Sequence, residues 1–161
     1  MGTRCGSVDA SAVTYIGEKE GMTYAELNEM MNKRSGVLGL TGLSSDMRDI
    51  DRAYDKGNPE AILARDMHYR RIKKFVGEYA AEMGGVDLIV FTGGVGENSS
   101  EMRESVCEGL EFMGVHFDKA ANQGARGVNK MLSTPDSKVK VAMIATNEEL
   151  VIATDTYNLV K

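Results

Sequence analysis

Apolar positions fall into two rhythms along the chain. From Asp9 to about Met83 they recur mostly at helical intervals of three and four, whereas beyond Val86 short apolar runs alternate with glycine turns and helical stretches. Asp9 is placed to cap a helix running to about Glu20, where Gly21 stops it. Thr23-Tyr24-Ala25-Glu26 has capping-box spacing and opens a second helix to about Asn32, with Met22 as a hydrophobic staple. The stretch Ser35–Gly42 is apolar enough to be buried but too interrupted by glycine for a long helix. Ser44 or Ser45 starts a short helix through Asp46–Lys56. Asn58-Pro59 then opens a long helix ending near Met83 at Gly84-Gly85. Ala61, Ala64, His68, Ile72, Phe75, Val76, Tyr79 and Met83 form its predicted buried face. Arg70, Arg71, Lys73 and Lys74 lie mostly off that face, as a solvated surface or as phosphate or nucleic-acid contacts.

The second half predicts a strand at Val86–Phe91, a helix from about Ser99 to Phe112, a short strand at Val115–Phe117 and a stronger one at Val139–Ala145. Thr146-Asn147-Glu148-Glu149 has capping-box spacing and opens a final helix. Strand, turn and helix in repetition argue an α/β layer with helices flanking a sheet. No linker, internal repeat or low-complexity stretch divides the chain, so residues 1–161 are expected to form a single domain.

Composition narrows the class without naming a function. The 161 residues are 42% hydrophobic and 27% charged, which favours a packed globular chain over disorder. A net charge of -5 gives no global electrostatic reason to bind nucleic acid. No run approaches the roughly 20 apolar residues of a membrane span, so no membrane partner is expected. The two cysteines, Cys5 and Cys107, cannot form a disulfide framework, which suits a reducing cytoplasmic compartment. The 11 methionines read as core rather than as a cofactor surface.

Four segments could carry chemistry. In Val86–Ser99 an apolar strand runs into Gly93, Gly94 and Gly96 and then toward a helix start. Glycines let backbone N–H groups approach an anion, and a helix start favours negative charge, so nucleotide phosphate binding competes with a plain tight turn. Neither a Walker P-loop nor a Rossmann fingerprint is present. In Ser44–Asp51, Asp46 and Arg48 either hold a polar ring or ribose, or only cap the helix and pair with a neighbour. Arg4, in Gly2-Thr3-Arg4-Cys5-Gly6, has a guanidinium fork suited to carboxylate or phosphate, although a terminal segment is usually frayed. Glu148 follows a strand, a suitable place for a Mg²⁺ ligand, but glutamate also favours any first helical turn. His68 reads as a packed core residue, His116 has no second metal ligand near it in sequence, and Cys107 reads as packing.

Taken in order, these segments resemble the acetate kinase family. The matching stretches are Gly2–Gly6, Asn32–Gly39, Ser44–Asp49, Val90–Asn98, Ser133–Asp136 and Thr146–Leu150. The resemblance implies a mixed-sheet domain of the acetate and sugar kinase, heat-shock ATPase and actin superfamily, ribonuclease H-like in core. It covers the second, C-terminal domain, used for nucleotide binding and dimerisation, with the first domain and its active-site asparagine, arginine, aspartate and histidine absent.

The implied reaction is reversible transfer of phosphate from ATP to acetate, giving ADP and acetyl phosphate. Arg4 then matches the arginine on the transferring phosphoryl group. Asp46, Met47 and Arg48 match a segment lining the adenosine site, and Gly94, Val95, Gly96, Glu97 and Asn98 match the nucleotide loop. Glu148 matches the glutamate associated with Mg²⁺. The resemblance further implies a cytoplasmic homodimer and an isolated chain that transfers no phosphate. Two alternatives stay open: a non-catalytic nucleotide-binding and dimerisation module, and a parent enzyme using propionate or butyrate. Cys5, Gly93 and Ala145 stand where the family commonly has serine, alanine and proline.

Overall fold

A computed structural model describes all residues, 1–161. Its contacts gather into two compact units, Met1–Arg71 and Ile72–Lys161. None of the helices is long and apolar enough to cross a membrane.

The first unit is helical. α1 (Ala10–Lys19) is capped by Asp9, whose carboxylate accepts from Ser11 N–H, and α2 (Tyr24–Lys33) opens on the expected Thr23/Glu26 capping box. The glycine-rich stretch closes into a six-residue helix, α3 (Gly36–Thr41). α4 (Met47–Asp55) is capped by Asp46 rather than by either serine. Asn58 Oδ1 accepts from Ala61 N–H at 2.8 Å and starts the long helix α5 (Pro59–Glu82). Val37, Ile50, Ala61 and Ala64 form the core here, with Met47, Ala53 and Tyr54 packed against it.

The terminal segment is not frayed. Cys5 N–H donates to Met31 O, Ser35 N–H to Thr3 O, Val37 N–H to Met1 O and Leu38 N–H to Gly2 O, all at 2.8–3.0 Å. Gly36 makes this approach possible: it has φ +62°, and a Cβ there would lie 2.5 Å from Met1 O. The predicted face of α5 is covered only toward its start. Ala61 and Ala64 of that face are buried, as is Tyr69 beside it, whereas Phe75, Tyr79 and Met83 are exposed.

The second unit is α/β, as expected. β1 (Leu88–Phe91) pairs in parallel with β3 (Lys140–Met143), and β2 (Lys130–Met131) pairs antiparallel with β3, giving the order β1-β3-β2. Both long strands are shorter than their apolar runs. Val115–Phe117 is not a strand; it supplies single bridges from Val115 to Val139 and from Phe117 to Ser133. β2, with exposed Lys130 and Met131, has no apolar run to announce it.

The glycines after β1 form α6 (Gly93–Asn98), followed by α7 (Ser100–Cys107), so the predicted helix to Phe112 is cut short. Gly109 at φ +73° turns the chain, and Glu111–Met113 forms only a 3-10 turn. α8 (Lys119–Asn122) is capped by Asp118. Ile89, Phe91, Met102, Val106, Leu110, Leu132, Val141 and Met143 are among the buried residues. The last helix, α9 (Glu148–Val160), buries none of its residues.

Candidate functional site

Because β1 and β3 are parallel neighbours, whatever follows each strand emerges on the same edge of the sheet. The ladder continues one bond past the strands, with Ile144 N–H donating to Phe91 O at 2.9 Å. The glycine turn and the Thr146–Glu148 turn, about 50 residues apart in sequence, therefore stand side by side at the carboxyl ends of the strands. In open α/β sheets that edge is the usual place for ligands.

The three glycines do different work. Gly93 has φ +69°, which disfavours any side chain. At Gly96 a Cβ would lie 3.1 Å from the Phe91 carbonyl carbon, so the absent side chain lets α6 sit directly on β1. Gly94 has an ordinary φ and no atom within 4 Å of the place its Cβ would occupy. Nothing in the fold demands glycine there. α6 starts at Gly93 itself, not after the glycines, so the N–H groups of Gly94 and Val95 lie in its first turn, without intrahelical acceptors.

The side chains of this turn point to their neighbours. Glu97 Oε1 accepts from Gly93 N–H at 3.0 Å and from Thr146 N–H and Oγ–H, each at 2.9 Å. These donors, Thr146 first, hold the Glu97 carboxyl below its ordinary pKa of 4.5. Asn98 Nδ2 donates to Gly94 O at 2.8 Å, and its Oδ1 accepts from Arg126 Nε at 2.8 Å.

Thr146 is consequently not the cap of α9. Asn147 is, accepting from Leu150 N–H at 3.0 Å, so no capping box forms and Glu149 has no capping role. Glu148 becomes the first residue of α9, exposed, with no hydrogen bond or ion pair on its carboxylate. The chain assembles no group of three or more His, Cys, Asp or Glu residues able to hold a metal. One free carboxylate fits the manner in which Mg²⁺ is often held, by one or two carboxylates, water and the phosphates of a substrate.

Beneath the turn lies a residue the sequence reading passed over. Arg103 on α7 is fully buried; its guanidinium donates to Gly96 O at 2.7 Å, Asn122 Oδ1 at 2.8 Å and Ala125 O at 2.8 Å. Asn122, also buried, donates to Ser100 O at 2.9 Å. The signal for this anchor was its spacing. Arg103 shares a helical face with buried Val106 and Cys107, an unusual position for a guanidinium without a structural task.

In the first unit, Arg4 is exposed on the pinned terminal segment and lines a largely apolar pocket with Cys5, Arg34, His68 and Arg71. Asp46 caps α4 and also takes Arg48 Nε at 3.0 Å and Nη2 at 2.5 Å. The Arg48 hydrogen bonds pull the Asp46 pKa down to about 2. Met47 packs on the first unit's core. The local role of Asp46 and Arg48, a cap and its paired neighbour, is thus fully formed.

Other titratable groups behave as packing or surface residues. His68 is half-buried and its Nε2 has no partner, and burial lowers its pKa. His116 Nδ1 lies 2.8 Å from Asp136 Oδ2 at the surface. Burial raises the Cys107 thiol to about 12, so it stays protonated.

Comparison with known proteins agrees with this arrangement. The profile of the acetokinase family matches residues 1–154. An acetate kinase of Bacteroides thetaiotaomicron is 56% identical over 161 residues, which is all of this chain and 40% of that protein. The crystal structure of Porphyromonas gingivalis acetate kinase superposes with a TM-score of 0.95 at 52% identity, over 100% of this chain and 40% of that one. A propionate kinase from Francisella tularensis gives 0.84 at 37% identity, over 95% and 38%. The chain spans about 40% of the length of the curated relatives it matches, and it belongs to the acetokinase family.

Proposed function

We propose that this chain is the nucleotide-binding portion of an acetate kinase, residues 1–161 corresponding to its C-terminal, dimer-forming domain. The observation that carries the reading is Gly94, a glycine that the fold does not need, in a turn with unused N–H groups beside a free carboxylate. Gly94, Val95, Gly96, Glu97 and Asn98 form the wall on which ATP or ADP phosphates lie. Backbone N–H donors suit such an anion because they are already oriented when it arrives. Glu148 holds Mg²⁺, directly or through water. The cation neutralises charge on the nucleotide phosphates.

Asp46, Met47 and Arg48 contact the adenosine side, and Arg4 contacts the transferring phosphoryl group, on the family resemblance. In the reaction an acetate oxygen forms a bond to the γ-phosphorus as the bond to the ADP oxygen breaks. Such transfer is catalysed mainly by positioning and charge neutralisation, which calls for Mg²⁺ and arginine rather than a covalent nucleophile. The product in one direction is acetyl phosphate. A parent enzyme acting on propionate or butyrate is the alternative reading, since a propionate kinase of F. tularensis is 37% identical to this chain. The chain works in a cytoplasmic homodimer, and the isolated portion transfers no phosphate.

Two substitutions in a full-length enzyme carrying this segment test the assignments. Arg4→Ala lowers kcat at least about 100-fold while the KM for ATP moves less than about tenfold; an unchanged kcat removes Arg4 from the chemistry. Glu148→Ala weakens the dependence of rate on Mg²⁺, and a Mg²⁺ titration identical to wild type refutes its role.

A further inference from the structure

Glu97 stands apart from the rest of the nucleotide turn. Its backbone belongs to α6, but its carboxylate reaches the turn after β3. One oxygen gathers three donors, one from the first residue of α6 and two from Thr146, two residues before Glu148. No cation pairs with this carboxylate. A surface carboxylate with no such task would be solvated, because holding its rotamer costs entropy.

The backbone alone leaves the two turns loosely joined. Ile144 N–H to Phe91 O is the last ladder bond between them. Beyond it, Ala145 N–H goes elsewhere, to Asn129 Oδ1 at 2.8 Å. Without Glu97 the Gly93 and Thr146 N–H groups would both lack an acceptor at the same time.

The geometry points to Glu97 as a positioning residue: its carboxylate latches the glycine turn to the Thr146–Glu148 turn and holds the phosphate-facing amides and the Glu148 carboxylate in one fixed relation. The latch rests on the nucleotide reading only for its purpose; the hydrogen bonds exist in the free chain. Because one acceptor serves both turns, losing it releases both together, while the buried Arg103 contacts still hold Gly96 from below.

The test is site-resolved amide hydrogen exchange on the 161-residue chain, with MgADP calorimetry on the same samples. In Glu97→Ala the Gly93 and Thr146 amides exchange at least about tenfold faster, and the Val141 amide inside the sheet is unchanged. Glu97→Gln retains an oxygen acceptor and recovers at least half of the logarithmic difference at both sites. MgADP affinity falls in Glu97→Ala and is restored in part by Glu97→Gln. If Gly93 and Thr146 exchange as in wild type, or only one of them changes, there is no latch. If both change but MgADP affinity does not, the latch does not serve the site and the proposal is overturned. A wild-type chain giving no heat with MgADP counts against the nucleotide reading alone, and the exchange comparison then decides the latch.

Discussion

An added methyl group distinguishes two glycines, Gly94 and Gly96, that lie two positions apart. At Gly94 an added Cβ meets nothing within 4 Å and the backbone is ordinary, so Gly94→Ala should leave stability unchanged or raise it by up to about 1 kcal/mol. If phosphates rest on that surface, the same methyl obstructs them and MgADP binding weakens. At Gly96 the Cβ would press on the Phe91 backbone at 3.1 Å, and Gly96→Ala should cost about 1–3 kcal/mol. Denaturant midpoints and calorimetry on the two variants check the contrast; equal destabilisation by both would refute it. Arg103→Leu is the severe case. It strands Gly96 O, Ala125 O and Asn122 Oδ1 in a buried place, and the cost should be about 3 kcal/mol or more, with Arg103→Lys recovering only part. A midpoint shift below about 1 kcal/mol would show that these acceptors find other partners.

Between elements, the link from α6 to the turn before α9 has a pH signature. The Glu97 carboxyl sits below 4.5 because Thr146 and Gly93 donate to its ionised form. A lowered folded-state pKa adds stability that is fully present above the unfolded value and is lost as pH falls through the folded one. Protection of the Gly93 and Thr146 amides should therefore survive acidification past 4.5 and disappear only below it, a course that exchange between pH 6 and 3 would follow. Loss centred above 4.5 would contradict the assignment. α9 makes a different prediction. A 13-residue helix that buries nothing has only its own hydrogen bonds, which are marginal at this length. Its amides should exchange within about tenfold of unfolded rates, and ending the chain after Leu150 should leave the melting midpoint unchanged.

These elements also show what the sequence could reveal. The caps at Asp9 and Thr23 and the Asn58-Pro59 start are local hydrogen-bond chemistry, and they were legible. The ends of the strands were not, because neighbours decide where a ladder stops. Thr146 was misread because Asn147 and Thr146 are both good caps, and only the position of Glu97, 49 residues earlier, favours one over the other. Burial along α5 is overestimated for a related reason: Phe75, Tyr79 and Met83 keep helical spacing yet are exposed, because spacing defines a face and not what packs on it. The site segments were legible largely through family resemblance, since Arg4 and Glu148 carry weak local signals.

At the scale of the molecule, a chain of 161 residues spans about 40% of the acetate kinases it resembles, with its residues arranged in two compact units. The second unit brings the glycine turn and Glu148 to one sheet edge, while Arg4 and the Asp46–Arg48 segment are carried on the first. On the proposed function binding and turnover separate: the glycine turn and Glu148 would take nucleotide phosphate and cation, and acyl-phosphate chemistry would need the longer enzyme. The most direct measurement is calorimetric titration of this chain with MgATP, with a hydroxylamine assay for acetyl phosphate on the same sample. The account predicts saturable binding, weakened by Gly94→Ala, and no acetyl phosphate. Absence of binding, or acetyl phosphate formed by the chain after contaminating host kinase is excluded, would contradict it.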